Sequence, residues 1–336
     1  MPSFRAPGRV NLIGDHTDYN DGFVLPAAID LECVVQATAR PDGVVEIDWL
    51  DGDAGSDRYA DAVQKVLAEH GRSDVGLDAQ VSSTIPVGSG LSSSAALEVS
   101  LALALCDVAD LELAPTELAL ACQRAEQLAT GVPCGIMDQL TSVAGRAGCA
   151  LLIDCRSLET EPIPLPEEIA MIVIHSGLSR ALEHSAYAQR RAACEAVAAR
   201  LGLDALRDAS PQQVADEPRA RHVVSENARV LEAADALRRG DIDRLGSLMS
   251  ASHMSLRDDF EVSTPELDAL VAALEQAGAV GARLTGAGFG GCVVALAPAG
   301  EATRIAARAA DDYRCQTRLT PTPYVCRAAA GAGLLV

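Results

Sequence analysis

Pro86-Val87-Gly88-Ser89-Gly90-Leu91-Ser92-Ser93-Ser94-Ala95-Ala96 is the stretch around which the chain is organised. Ahead of it, Leu77-Asp78-Ala79-Gln80-Val81 alternates as a strand does. Behind it, Ala95 to Leu105 is a largely apolar run with a single charge, Glu98, and the length of a buried helix. The order strand, glycine loop, helix has a physical use. Glycines let the backbone approach a ligand, and the first turn of a helix presents N–H groups without intrahelical acceptors at the positive end of its dipole. An anion such as phosphate suits that place, and three consecutive serines add hydroxyls able to bond it or to ligate Mg²⁺. The same serines also cap helix starts well, so a capped turn before a core helix is the plainer alternative.

Two familiar phosphate loops are excluded. A lysine-bearing loop needs Gly-Lys-Ser/Thr, and the one lysine of the chain, Lys65, lies outside any glycine loop; a protein kinase would need a strand lysine. The dinucleotide fingerprint fails because Ser93 stands where its third glycine belongs. A second pattern of that type, Gly286, Gly288 and Gly291, runs into the strand-like Cys292-Val293-Val294-Ala295-Leu296 rather than a helix, so its context is wrong as well.

At 336 residues the chain is long enough for two domains with substantial cores. Basic residues number 27 against 47 acidic, a formal net charge of -20, which repels nucleic acid and anionic membranes; neither is an expected partner. Ten scattered cysteines, without a CxxC pair or zinc-ligand spacing, read as small buried hydrophobes in a reducing compartment. Met1 to Ala6 has no signal-type apolar region and no run reads as a membrane span, so a cytoplasmic location is expected.

Further candidate chemistry lies on both sides of the serine loop. Arg9, Asn11, Asp15, His16, Asp18, Tyr19, Asn20 and Asp21 crowd an early segment that reads as a loop between two strands. Singly each has a structural explanation, but together they favour recognition of a polyhydroxylated ligand. Residues 32–50 read as β, Asp61 to Glu69 as helix, and Pro115 to Gln127 as a helix carrying Glu126 near its end, either a solvated charge or a metal ligand. In Gly131 to Leu140 a lone Asp138 stands among Ile136, Met137 and Leu140, where it could orient or deprotonate a hydroxyl or simply complement a helix dipole. Ala150 to Asp154 reads as a strand, and the proline-rich Pro162 to Pro166 as the boundary between domains 1–165 and 166–336. Beyond it come a buried strand at Ile169 to His175, a helix from Glu183 to Leu201 containing Tyr187, and a mostly helical stretch over 211–275 with a polar turn at Ser252 to Asp259. The second glycine loop, Gly286 to Gly291, follows between strand-like segments.

Taken together these segments resemble the GHMP superfamily of small-molecule kinases and, within it, the galactokinases. Gly8 to Asn20 is similar to the galactokinase signature, Pro86 to Ala96 to the superfamily's ATP-binding motif, Cys134 to Gln139 to the segment with the catalytic Asp, and Thr285 to Cys292 to the C-terminal glycine motif. Ser252 to Asp268 is galactokinase-like too. The resemblance implies a two-domain α+β fold, each domain a mixed or antiparallel sheet packed with helices, with the active site between them. It implies ATP- and Mg²⁺-dependent phosphorylation of the anomeric C1 hydroxyl of galactose by a monomer. In those terms Asp138 and Arg9 are catalytic. Asp15, His16, Thr17, Asp18, Gly135 and Tyr187 bind the sugar. Gly88, Ser89, Gly90, Leu91, Ser92, Ser93 and Ser94 hold the nucleotide phosphates, with Ser94 and Glu126 as Mg²⁺ ligands. Asp15 departs from the family, whose signature has Glu; it is one methylene shorter, which weakens the contact expected at the C6 end of the sugar. The competing readings are a GHMP kinase for galacturonate, an N-acetylhexosamine or a heptose, and a galactose sensor without catalysis.

Overall fold

A computed structural model describes residues 1–50, 57–86, 88–178 and 183–335, without the side chains of residues 183–185. Val87, within the serine loop, lies outside the described residues.

Among the described residues the first half supplies six strands of a seven-stranded sheet and four α-helices. Its elements are β1 (Ser3–Ile13), β2 (Phe23–Arg40), β3 (Val45–Trp49), α1 (Asp57–Glu69), β4 (Gly76–Ser83), α2 (Ser93–Val108), α3 (Pro115–Thr130), α4 (Met137–Ala144), β5 (Cys149–Asp154) and β6 (Thr160–Pro164). The second half supplies β7 (Ile169–His175), α5 (Glu183–Leu201), α6 (Pro218–Arg238), α7 (Ile242–Asp258), α8 (Pro265–Ala277), β8 (Gly281–Thr285), β9 (Cys292–Pro298), α9 (Ala302–Thr317), β10 (Thr322–Cys326) and β11 (Gly333–Leu335). The main path of the first sheet is β11-β1-β2-β4-β3, with β5 pairing β2 and β6; the second sheet is four-stranded, β10-β7-β9-β8. The chain therefore returns at its end to the sheet in which it began.

Local chemistry accounts for most boundaries. Helix α3 starts at Pro115, where the missing N–H costs nothing, and Glu117 reaches back to the Ala114 amide at 2.9 Å; Gly131, at φ 72°, ends it. Helix α2 is apolar on every side because it is the central buried helix, packed against β1, β2, α1, α3 and α4. Its Leu97, Leu101 and Leu105 are buried, each contributing about 1.5–3 kcal/mol of apolar burial. The core around it continues through Met171 and Val173 of β7 and Cys292 and Val294 of β9, so apolar packing joins the two sheets.

Two local readings are corrected by the structure, those of Arg9 with Asn11 and of Ser252 to Asp259. Arg9 and Asn11 lie on strand β1, not in a loop. The strand is buried on both faces, and residues two apart share a face, so Arg9 and Asn11 lie opposite Val10 and Leu12, which enter the first core, and the Arg9 side chain runs to Asp138 and Gly90. Within residues 32–50, β3 pairs in parallel with β4. The polar stretch Ser252 to Asp259 is no turn but the C-terminal part of α7 and its cap. Its Ser252, Ser255 and Asp259 recur at helical spacing and turn inward to polar partners on α6. Pro162 and Pro164 fall within β6, the last strand before residue 166, which among the described residues has a partner on one side only and so tolerates residues lacking an N–H.

Candidate active site

The serine loop leaves β4, and its Ser92 occupies the position before α2 with φ 61°, a left-handed conformation that is costly for serine. Its hydroxyl does not cap the helix but donates to Asp138 Oδ2 at 2.6 Å. Strand β1 runs close beneath. A Cβ on Gly8 would lie 2.6 Å from the Leu91 carbonyl, and the Arg9 amide donates to that carbonyl at 3.1 Å. The Arg9 side chain, 5 % exposed, then forks: Nε and Nη2 donate to the two oxygens of Asp138 at 2.8 Å each, and Nη1 to the Gly90 carbonyl at 2.6 Å. Arg9 thus bridges the serine loop and the carboxylate at the start of α4. The Asp138 side chain remains 31 % exposed, held by three donors and still open on one side.

Beside it stands Asp18, on the short 3-10 turn Asp18–Asn20. A Cβ on Gly135 would meet Asp18 Oδ2 at 1.8 Å, so glycine alone admits this carboxylate. Burial first, and then the neighbouring Asp138 charge, push the Asp18 pKa up to about 7. An aromatic wall closes the other side. His16 stacks on Phe260 at 4.5 Å between ring centroids, with Tyr187 of α5 at 5.8 Å and Tyr19 at 5.9 Å; its Nδ1 meets the Tyr19 hydroxyl at 2.9 Å. Burial drives the His16 pKa down to about 3, so the ring is neutral at ordinary pH. Arg191, one turn after Tyr187, lies over the Tyr19 ring and donates to the Pro133 carbonyl at 2.6 Å. Acceptors, a neutral imidazole and aromatic faces from both halves therefore surround Asp138, which suits a neutral polyol.

Ser94 and Glu126 are brought together, their side chains hydrogen bonded across the start of α2. Glu126 touches Glu98, which is fully buried on α2 and accepts from Gln139 Nε2 at 3.2 Å. Burial raises the pKa of both glutamates, Glu98 the further because the Glu126 charge adds to it. Among the described residues no three His, Cys, Asp or Glu side chains are grouped as a metal site. A hydroxyl and one carboxylate beside the serine loop nevertheless fit Mg²⁺, which takes few protein ligands and completes its shell with phosphate oxygens and water.

Two expected sugar ligands are engaged elsewhere. The Thr17 hydroxyl lies 2.8 Å from the Gly14 carbonyl and 2.7 Å from that of Phe23, bracing its own loop. Asp15 turns away from Asp138 into a sealed cluster. Its Oδ2 pairs with Arg283 Nη2, and its Oδ1 accepts from the Gly286 amide at 3.1 Å. Desolvation raises its pKa, with Arg283 opposing. Ser89 is likewise occupied, its hydroxyl donating to the Pro86 carbonyl at 2.6 Å, whereas Gly88 is exposed. Sequence reasoning missed Glu98, Arg191 and the bond from Ser92 to Asp138. The lone charge of Glu98 in an apolar helix was the available signal for the first; no local pattern announces the other two.

Known proteins share this arrangement of segments. Residues 58–146 match the GHMP kinases N terminal domain, residues 233–315 the GHMP kinases C terminal domain, and residues 3–39 the galactokinase galactose-binding signature. A galactokinase from Roseiflexus sp. (strain RS-1) is 47% identical over 98% of this chain and 92% of its own length. The crystal structure of Lactococcus lactis galactokinase complexed with galactose superposes with a TM-score of 0.94 at 32% identity, covering 99% of this chain and 95% of that one. The L. major mevalonate kinase structure, at 22% identity and a TM-score of 0.73 over 97% of this chain and 95% of that one, shares the fold. With identity at that level along nearly the whole of both chains, and an arginine-clamped aspartate set against a serine loop, this chain belongs to the galactokinase family of GHMP kinases.

Proposed function

We propose that the protein transfers the γ-phosphoryl group of ATP to the C1 hydroxyl of galactose, giving galactose 1-phosphate and ADP. The observation that carries this reading is the Arg9–Asp138–Ser92 triad, one carboxylate fixed by three donors yet open to a substrate hydroxyl at the mouth of a phosphate loop. On this reading residues 1–165 carry the sugar loop, the phosphate loop and Asp138, and residues 166–336 the second glycine loop.

Asp138 orients the C1 hydroxyl and accepts its proton as the O–P bond forms. A loose transition state demands little nucleophile activation, so a carboxylate already tied to arginine suffices. Arg9 places positive charge between that carboxylate and the loop, where negative charge on the transferring group is met together with the amides at the start of α2. Asp18, His16 and Tyr187 bind sugar hydroxyls, and Gly135 leaves room for Asp18. Gly88, Ser89, Gly90, Leu91, Ser92 and Ser93 shape the loop around the phosphates. Ser94 and Glu126 hold Mg²⁺, which when bound neutralises phosphate charge. The protein acts as a monomer in the cytoplasm; among the described residues no helix is long and apolar enough to cross a membrane.

Two carboxylates in the sugar site disfavour an anionic sugar such as galacturonate. The intact triad argues against a sensor without catalysis. ADP release with ATP and Mg²⁺ over a panel of sugars tests the assignment: saturation with galactose at the lowest KM is expected, and saturation only with another sugar overturns it.

A further inference from the structure

Behind the sugar loop lies a buried polar cluster that the chemistry above does not use. Arg283, at the centre of β8 and wholly buried, spends each arm of its guanidinium on a different element. Nη1 donates to the Asn11 carbonyl of β1 at 3.0 Å, Nε to the Ser252 hydroxyl of α7 at 3.1 Å, and Nη2 to Asp15 Oδ2. Ser252 in turn donates to Glu226 Oε1 at 2.5 Å, and the same oxygen accepts from the Gly14 amide at 3.0 Å. The Asp15 carbonyl lies 3.2 Å from His222 Nε2. Asp15 is thus held at its main chain and at both carboxylate oxygens, all by the second half of the molecule. The second glycine loop begins one residue beyond β8, with its Gly286 amide on Asp15, and it ends at Cys292, whose Sγ donates to the Ser89 carbonyl of the phosphate loop at 2.8 Å. Glycines suit this loop because Gly286, Gly288, Gly290 and Gly291 all have positive φ, and a Cβ on Gly288 would strike the Val262 carbonyl at 2.4 Å.

We infer that Asp15 is not a sugar ligand but a positioning residue: through Arg283 and the Gly286 amide it sets the second glycine loop, and through Cys292 and Ser89 the phosphate loop, in register with the sugar loop. The inference rests on the galactokinase reading, which galactose-dependent ADP release by the unaltered protein checks separately. Each partner is buried, so loss of one arm leaves its counterpart without water and the register loosens instead of being repaired by solvent.

Asp15→Asn keeps the shape and removes the charge. Calorimetric titration of the nucleotide-free variant with galactose is expected to give a Kd within about twofold of the parent. Titration with Mg²⁺ and a non-hydrolysable ATP analogue is expected to give a Kd raised about tenfold, in the range of ordinary intersite coupling. In turnover, the KM for ATP rises while that for galactose stays. Arg283→Lys retains the buried charge pair but not the three-way fork, and is expected to repeat the pattern. A galactose Kd raised tenfold in the nucleotide-free Asp15→Asn protein with nucleotide affinity unchanged would make Asp15 a sugar ligand and overturn the inference; unchanged affinity for both ligands in both variants overturns it equally.

Discussion

Two arginine–aspartate pairs flank the same short segment of chain, and they differ chiefly in who can reach them. Arg9–Asp138 leaves its carboxylate side chain 31 % exposed, whereas in Arg283–Asp15 the side chains are 0 % and 3 % exposed. The first can lend an oxygen to an incoming hydroxyl. The second has all of its valences consumed by protein and can only hold geometry. Identical side-chain chemistry therefore yields a reactive group in one place and a fastener in the other, and water access makes the difference.

The sharpest way to break that contrast is Asp138→Ala. Turnover should fall by about three powers of ten or more, with the galactose Kd changed only a few-fold, because the lost interaction acts mainly in the transition state. Steady-state ADP release together with calorimetry checks it, and near-normal turnover removes Asp138 from its role. Stability should show the reverse order. Arg283→Met strands a buried aspartate and is expected to cost about 3–5 kcal/mol. Arg9→Met leaves a carboxylate that water can reach and should cost clearly less, so equal losses in urea midpoints would dissolve the distinction.

Metal dependence separates the two regions next. Ser94→Ala and Glu126→Ala are each expected to raise the Mg²⁺ concentration needed for half-maximal activity several-fold, whereas Ser252→Ala, in the fastener, should raise the KM for ATP and leave the Mg²⁺ requirement at saturating ATP unmoved. An unaltered Mg²⁺ titration in both of the former counts against the metal site. The smallest effect is on pH. Asp18 holds its proton up to about 7, against 3.8 for a free aspartate, so the ionised acceptor forms only as pH rises through that value. The KM for galactose should fall across this range, and Asp18→Asn should flatten the profile. The linkage has a definite sign. The folded chain keeps a proton that the unfolded chain releases near 3.8, so this group's contribution to stability declines as pH rises from there to about 7.

Much of the site could be read directly. The serine loop announced itself through strand, glycines and apolar helix, and Asp138 through its isolation among apolar neighbours. Ser94 and Glu126 also proved to be neighbours. What misled was every judgement about direction. Asp15 and Asp18 are three residues apart in one polar segment, yet Asp18 lies beside Asp138 and Asp15 in a sealed cluster, because His16 between them takes a left-handed backbone, φ 67°, that redirects the chain. Ser92, read as part of a phosphate cradle, turns its hydroxyl to Asp138 because its left-handed backbone aims it there.

By itself, then, the sequence determined the strand, serine loop and buried helix around residue 90, the isolation of Asp138 and, through several motifs together, the family. These depend on local spacing and on backbone freedom at particular glycines, which neighbouring residues fix. Only the tertiary structure decided which aspartate is open and which is sealed, that β3 joins its sheet in parallel, and that a run of serines, arginine and aspartates near residue 252 is helix facing a buried arginine. Those outcomes turn on desolvation, and how much water a side chain keeps is set by segments hundreds of residues away in the chain, here β8 against β1.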